Sequence, residues 1–370
     1  MFFAIILFLY FVLFYVYLRS WHKIKTTDDV NYNNTVSVIV ACRNEEKNIS
    51  KIVDCLKFQK FDNSKLELIF VNDHSEDNTL QLLLNEQKKC SYMRVINLSS
   101  AIQGKKNAIR EGVLKSTGDI ILCTDADCEM STFWTQTMVD YFNNKNCRFV
   151  SAPVLLNKTD SLFNSYQKLE LLSLVITSAA AIGLKTPTLC NGENLAFRRN
   201  DYLEINIKEF KKFTSDDLSL LNYFKKNFFG SVFFVKDSKA IVYTCGQNNL
   251  NSYFSQKMRW ISSARYFNDL NIILTSILVY TINLIICYSL IQLIYFLFFD
   301  FNLLLFIFYL VIVIVKVLID FFFLINTLIF FKEKELLKYL SLFVVINSII
   351  TTVIVPLSFI FPLKWKGRKL

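Results

Sequence analysis

Histidine is almost missing from this chain: His22 and His74 are the only two among 370 residues. The nine cysteines are scattered, with no Cys-x-x-Cys pair, so the paired ligand spacing of a zinc site is lacking. Such cysteines, some of them inside apolar stretches, read as small core residues of a reduced compartment. No internal repeat or low-complexity linker interrupts the middle of the chain. Nothing basic precedes the apolar run Phe2 to Leu18 and no small-x-small site follows it, which argues against a cleavable signal peptide. The formal charge of +10 does not point to nucleic acid. Much of the lysine and arginine flanks apolar spans, where it sets topology and meets anionic headgroups.

What is abundant is apolar surface. Hydrophobic residues make up 53% of the chain and are concentrated at its two ends, the pattern of an integral membrane protein with a soluble middle. Phe2 to Leu18 is just long enough to cross a bilayer, and Arg19, His22, Lys23 and Lys25 follow it at once. The excess of positive charge then puts the N-terminus outside and the middle of the chain in the cytoplasm. Near the other end, Ile272–Phe299 and Leu303–Phe331 are each long enough to span, with Asp300 at the turn between them. Lys316 and Asp320 sit four residues apart within the second of these and are placed to neutralise each other. Leu340–Phe361 is apolar enough for a further span, but Lys364, Lys366, Arg368 and Lys369 would then lie outside, and Pro356 and Pro362 leave a re-entrant segment open. The expected division is a transmembrane helix at 1–20, a soluble domain at 35–262, and a membrane region of two to three spans at 271–363.

The middle alternates strand-like and helix-like patterns. Val36–Ala41, Leu66–Val71, Met93–Leu98, Ile120–Thr124 and Phe149–Val154 read as strands, separated by amphipathic helical stretches. That alternation predicts an α/β domain with a doubly wound, mostly parallel sheet. Its most telling stretch is Ile120-Ile121-Leu122-Cys123-Thr124-Asp125-Ala126-Asp127: an apolar run ending in two carboxylates one residue apart. Ligands in open α/β sheets sit beyond the carboxyl ends of such strands, and a hard divalent cation takes one or two carboxylates there, with phosphate oxygens and water completing its shell. The plain alternative is an Asx-rich turn with solvated carboxylates.

Three spaced aspartate sites followed by Gln-x-x-Arg-Trp (Asp73, Asp125-x-Asp127, Asp217 and Gln256-Lys257-Met258-Arg259-Trp260) resemble the membrane-bound branch of family 2 glycosyltransferases, which includes cellulose, chitin and hyaluronan synthases and ceramide glucosyltransferase. The resemblance covers Val36–Trp260. It implies a Rossmann-like GT-A catalytic fold between N- and C-terminal transmembrane helices. It also implies that Ala41, Arg43 and Glu45 line a nucleotide pocket and that Asp73 accepts a hydrogen bond from the base, which favours uracil. By the same resemblance Lys105 faces the diphosphate, Asp125 binds ribose or metal, and Asp127 holds Mg²⁺ or Mn²⁺. Cys190–Arg199 is similar to the family's acceptor-side segment, in which Gly192 allows close approach to sugar; Glu193 is less usual there and its role stays open. Asp216 takes the position of a glutamate in the family's Glu-Asp pair, and Asp217 matches the catalytic base. Gln256, Arg259 and Trp260 would meet the diphosphate and the acceptor end of the site.

The implied activity is inverting transfer from a nucleotide-sugar, a UDP-sugar above all, to a lipid or glycan acceptor. It would take place at the cytoplasmic face of a bacterial-type cell membrane, with no nucleic-acid partner. A processive polysaccharide synthase is the nearest alternative, and a non-catalytic transporter or scaffold subunit with a transferase-like domain is a more distant one.

Overall fold

A computed structural model describes residues 1–26, 34–158, 161–205, 216–263, 269–360, 364–365 and 368–369. It divides into two compact units: Lys23–Asn157 with Ala181–Cys245, and Met1–His22 with Lys158–Ala180 and Gly246–Leu370.

The first unit is built on a sheet. Its strands are β1 (Val36–Cys42), β2 (Leu66–Asn72), β3 (Met93–Asn97), β4 (Ile120–Asp125), β5 (Glu129–Met130), β6 (Phe149–Ser151), β7 (Val154–Leu156), β8 (Leu195–Arg198), β9 (Val232–Phe234) and β10 (Val242–Thr244). Seven of them form one sheet in the order β3-β2-β1-β4-β8-β6-β9. β1, β2, β3 and β4 run parallel, while β8 is antiparallel to both β4 and β6. β1, β2 and β4 are buried along nearly their whole length, as continuous Val/Ile/Leu runs covered on both faces should be. The register then places the chemistry. Ala41 is level with Val71 on one side and with Asp125 on the other, so the three strands finish together and the residues beyond them leave one edge of the sheet. The strand order reverses at β1, which makes the gap beyond β1 and β4 the natural crevice.

Two details hold this edge. Gly118, before β4, leaves no room for a side chain, since a Cβ there would lie 2.5 Å from the Ser37 backbone nitrogen. Its N–H donates to Ser37 Oγ at 2.9 Å. The stretch Phe149–Val154, read from sequence as one strand, is two. β6 belongs to the large sheet, and β7 pairs with β10 in a second sheet of order β5-β10-β7. Pro153 stands at the break, where its missing N–H ends the ladder.

The second unit is helical. Four of its helical stretches, Phe2–Lys23, Leu270–Phe298, Leu303–Phe330 and Lys334–Ile360, are long and apolar enough to cross a membrane. Pro356 lies inside the last without ending it. Their polar groups turn inward: Lys316 Nζ donates to Asp320 Oδ2 at 2.6 Å, and Tyr10 Oη donates to Asp320 Oδ1 at 2.7 Å. Phe8, Ile291, Leu304 and Phe322 are exposed, as apolar faces meant for hydrocarbon are. In the same unit Lys257 Nζ lies 2.7 Å from Glu170 Oε2, and Lys168 Nζ 3.1 Å from Glu333 Oε1.

Candidate active site

The carboxyl edge of β1 opens into a loop laced to the loop after β2. Asn44, in a left-handed conformation with φ 54°, donates its N–H to Ser75 Oγ at 3.1 Å and accepts the Glu76 N–H at 2.8 Å. Glu45 donates its N–H to Thr79 Oγ1 at 2.8 Å and accepts from Asn48 Nδ2 at 2.7 Å. Arg43, mostly buried, has its guanidinium 3.9 Å from Glu76. Ala41, Arg43 and Glu45 therefore line the edge at which Asp125 also ends.

Asp73 is buried directly after β2. Its N–H donates to the Cys42 carbonyl at 2.8 Å. Its Oδ2 accepts the Gly104 N–H at 3.0 Å, and its Oδ1 lies 3.0 Å from His74 Nδ1. Gly104 has φ 99°, a conformation that suits glycine, and it starts the helix Lys105–Lys115. Asp73 thus fixes the first turn of the helix carrying Lys105, and Lys105 Nζ donates to Asp125 Oδ2 at 2.6 Å. The ends of β2 and β4 and the start of this helix are joined by two contacts.

Asp127 follows two residues later and accepts from Thr244 Oγ1 of β10 at 3.4 Å. Burial first, and then the charges of Asp125 and Glu45, push its carboxyl above the ordinary range. The spot is acid-rich and short of positive charge. Asp125 and Asp127 are hard oxygen donors of the kind Mg²⁺ and Mn²⁺ take. Among the described residues no group of three or more His, Cys, Asp or Glu is arranged to hold a metal ion. The pair thus fits an ion whose remaining positions are filled by phosphate and water, rather than a caged one.

The acceptor-side segment lies beside this pair because β8 is antiparallel to β4. The ladder ends at the pair Cys123–Leu195; Glu193 stands in the turn just before Leu195, where the charge of Asp125 acts on its carboxyl. The turn before β8 is held firmly. Asn191 Nδ2 donates to the Ala152 carbonyl at 2.9 Å, and Asn194 Nδ2 to the carbonyls of Pro153 and Ala240 at 2.8 Å. Trp134 Nε1 donates to Asn194 Oδ1 at 2.9 Å. A Cβ on Gly192 would stand 2.9 Å from Asp217 Oδ2, so the close approach this glycine permits is to a carboxylate of the protein. Asp217, in the first turn of the helix Asp216–Asn227, accepts the Leu218 N–H at 2.8 Å. Asp216 begins that helix; Thr214 and Ser215, which precede the pair, lie outside the described residues.

Glu193 is the acid whose part was not assigned from sequence. Its carboxyl is pushed up to about 8, by burial first and then by Asp125, with Asp127 and Asp217 adding to the effect and Lys105 opposing it. Glu193 therefore senses the donor-side pair and Asp217 at once. The sequence signal for this is faint, a glutamate after the turn glycine, since only the β4–β8 pairing shows which strand end it meets. Thr244 carries no sequence signal at all. Gln256, Arg259 and Trp260 belong to the helical unit, on the helix Leu250–Ser263, with Lys257 Nζ 4.1 Å from the centre of the Trp260 ring.

Residues 37–205 match the family profile described as Glycosyl transferase family 2. The matched stretch is a little under half of the chain. It holds Ala41, Arg43, Glu45, Asp73, Lys105, Asp125, Asp127, Gly192 and Glu193, and ends before Asp216 and Asp217. Over 168 residues the chain is 25% identical to the poly-beta-1,6-N-acetyl-D-glucosamine synthase of Staphylococcus aureus strain COL, a span of 44% of this chain and 40% of that one. The synthase of the same name from Staphylococcus epidermidis is 27% identical over 142 residues, 38% of this chain and 33% of that one. The match thus spans well under half the length of these relatives. Among solved structures, the mannosyltransferase PcManGT from Pyrobaculum calidifontis, in complex with GDP-Man and Mn²⁺, superposes with a TM-score of 0.54 at 19% identity, covering 71% of this chain and 74% of that one. The superposed part of this chain shares its fold.

Proposed function

We propose that this protein is a membrane-bound inverting glycosyltransferase that moves a sugar from a nucleotide-sugar donor, preferably a UDP-sugar, to a lipid or glycan acceptor at the cytoplasmic membrane face. The observation that carries this reading is a chain of contacts along one sheet edge. Asp73 holds Gly104, Lys105 next to it holds Asp125, the strand ending in Asp125 pairs with β8 as far as Cys123–Leu195, and Gly192 in the turn before β8 abuts Asp217. These contacts support a reading in which a donor-binding half and a candidate base share one unit. The relatives named above, a polysaccharide synthase and a nucleotide-sugar mannosyltransferase, agree with it.

Asp73 reads the nucleobase, with Ala41, Arg43 and Glu45 around it, and Lys105 moves from Asp125 to the diphosphate as the donor enters. Asp125 and Asp127 hold a divalent cation, Mg²⁺ or Mn²⁺, which when bound neutralises charge on the diphosphate. Asp217 takes the proton from the acceptor hydroxyl as that oxygen attacks the anomeric carbon on the face opposite the leaving group, a contribution of about 10²–10⁴-fold. Asp216 begins the helix that presents it. Gln256, Arg259 and Trp260 keep the role the motif implies, Arg259 as a fork for phosphate and Trp260 as a plane for a sugar ring. The four apolar helices hold the protein in a bacterial-type cell membrane, with the basic cluster after the first on the cytoplasmic side.

A processive polysaccharide synthase is the second reading, favoured by the names of the staphylococcal relatives; the four apolar spans among the described residues favour a glycolipid. Mass spectrometry of lipid extracts from cells carrying the intact chain or Asp217→Asn separates them. A glycolipid that vanishes in the variant supports the first reading. Unchanged lipids with lost polymer select the second, and no change in either lipid or polymer defeats both.

A further inference from the structure

We propose that Glu193 is a specificity-determining residue that hydrogen-bonds hydroxyl groups of the sugar in transit. The inference rests on the transferase reading above and deepens it. Three observations carry it. Glu193 stands in the turn two residues before Leu195, which pairs with Cys123 two residues before Asp125, and its chain neighbour Gly192 abuts Asp217. Inversion requires the leaving diphosphate and the base on opposite faces of the anomeric carbon, so the ring being transferred occupies the interval between Asp125 and Asp217. Glu193 borders that interval.

Its carboxyl is also uncommitted. Among the described residues it makes no hydrogen bond or ion pair, and neither of its oxygens is sealed off from solvent. Every other polar side chain of its turn is in use: Asn191 and Asn194 are spent on backbone carbonyls, and Asn194 also accepts from Trp134. A polar group held on a fixed turn and left without a protein partner is a site for ligand hydroxyls, because leaving it unpaired on closure carries the full desolvation cost. A carboxyl group offers several acceptor positions and suits two neighbouring hydroxyls at once. The class of ligand is a hexopyranosyl unit with free hydroxyls.

The test uses the full-length protein in detergent with Mn²⁺. The donors are UDP-glucose, UDP-galactose, UDP-N-acetylglucosamine and the single-deoxy analogues of whichever is best; the readout is UDP release, alongside calorimetric binding of UDP itself. The expected result is that Glu193→Ala binds UDP as the wild type does, since UDP lacks the hexosyl ring. It should lose about 100-fold in kcat/KM on the intact donor. At least one deoxy analogue disfavoured by the wild type should then be used by Glu193→Ala nearly as well as the intact donor. Glu193→Gln should recover part of the loss. Equal deoxy penalties in wild type and Glu193→Ala would overturn the inference while leaving the transferase reading intact. So would joint loss of UDP and Mn²⁺ binding in Glu193→Ala, which would make this residue a metal ligand. No UDP release from any donor by the wild type defeats the UDP-sugar reading and this inference together.

Discussion

Gly192 and Asp217 approach so closely that a methyl group on the glycine would stand 2.9 Å from Asp217 Oδ2 and 3.2 Å from Asp217 Cβ. The backbone of the acceptor-side turn and the candidate base are therefore fitted to each other. Gly192→Ala should push the carboxylate aside. Misplacing a reacting group by about 1 Å costs on the order of 100-fold, so kcat should fall by about that factor. Melting should move far less than the turnover does, because the site is a partly buried edge and not the core. Retention of full kcat in Gly192→Ala would show that the contact is incidental.

Asp217→Asn keeps the shape of the side chain and removes its basicity. Turnover should drop about 10²–10⁴-fold while UDP and Mn²⁺ still bind with unchanged affinity, as measured by titration calorimetry. Loss of binding in parallel with turnover would place Asp217 in the donor pocket instead.

The pair Lys105–Asp125 leads to effects of opposite sign. Lys105→Ala removes the ammonium group resting 2.6 Å from Asp125, so Mn²⁺ alone should bind more tightly, by up to about 5-fold given the modest worth of a half-exposed pair. UDP should bind more weakly in the same variant, since the diphosphate is the lysine's other partner on the proposed reading. Manganese titration followed by electron paramagnetic resonance, with and without UDP, reads both. A change of the same sign in both would refute the shared role.

Glu193 gives a pH dependence. In the metal-free protein its carboxyl rises from 4.5 to about 8, through burial first and then Asp125, with Asp127 and Asp217 adding and Lys105 opposing. Between those values the folded protein keeps a proton that the unfolded chain has lost, so this group's stabilising contribution is full below about 4.5 and gone above about 8. Glu193→Gln has no such proton. Its melting temperature relative to wild type should climb steadily from pH 5 to pH 8.5; parallel curves would contradict the assignment.

Within the helical unit, Lys316→Met would leave Asp320 buried with Tyr10 as its remaining partner in the triad. Breaking one side of a buried pair costs about 3–5 kcal/mol, and the double variant Lys316→Met with Asp320→Leu should recover much of that. Thermal unfolding in detergent measures it. Equal loss in single and double variants would mean the cost lies in packing and not in charge.

Much of this was legible in the chain itself, for definite reasons. β1, β2 and β4 announce themselves as apolar runs because a strand covered on both faces needs no alternation. Asp73 and Asp125 stand out because each closes such a run. Lys316 and Asp320 are legible as a pair because a helix brings residues four apart together. What periodicity cannot carry is pairing between distant strands. The antiparallel insertion of β8 beside β4 has no local signature, and that insertion alone brings Glu193 to Asp125. Gly192 was expected to make room for sugar, and its tight neighbour is Asp217, a contact set by a helix that begins well downstream. Phe149–Val154 reads as one strand in sequence, and its division at Pro153 between two sheets appears only in the pairing.

His74 and Gly104 together have a consequence for donor capture. With the Gly104 N–H on one oxygen and the His74 ring beside the other, the Asp73 carboxylate is clamped before any nucleotide arrives. On the proposed reading an incoming base would meet a rigid edge, whose ordering entropy is settled at folding and is not subtracted from affinity at each catalytic cycle.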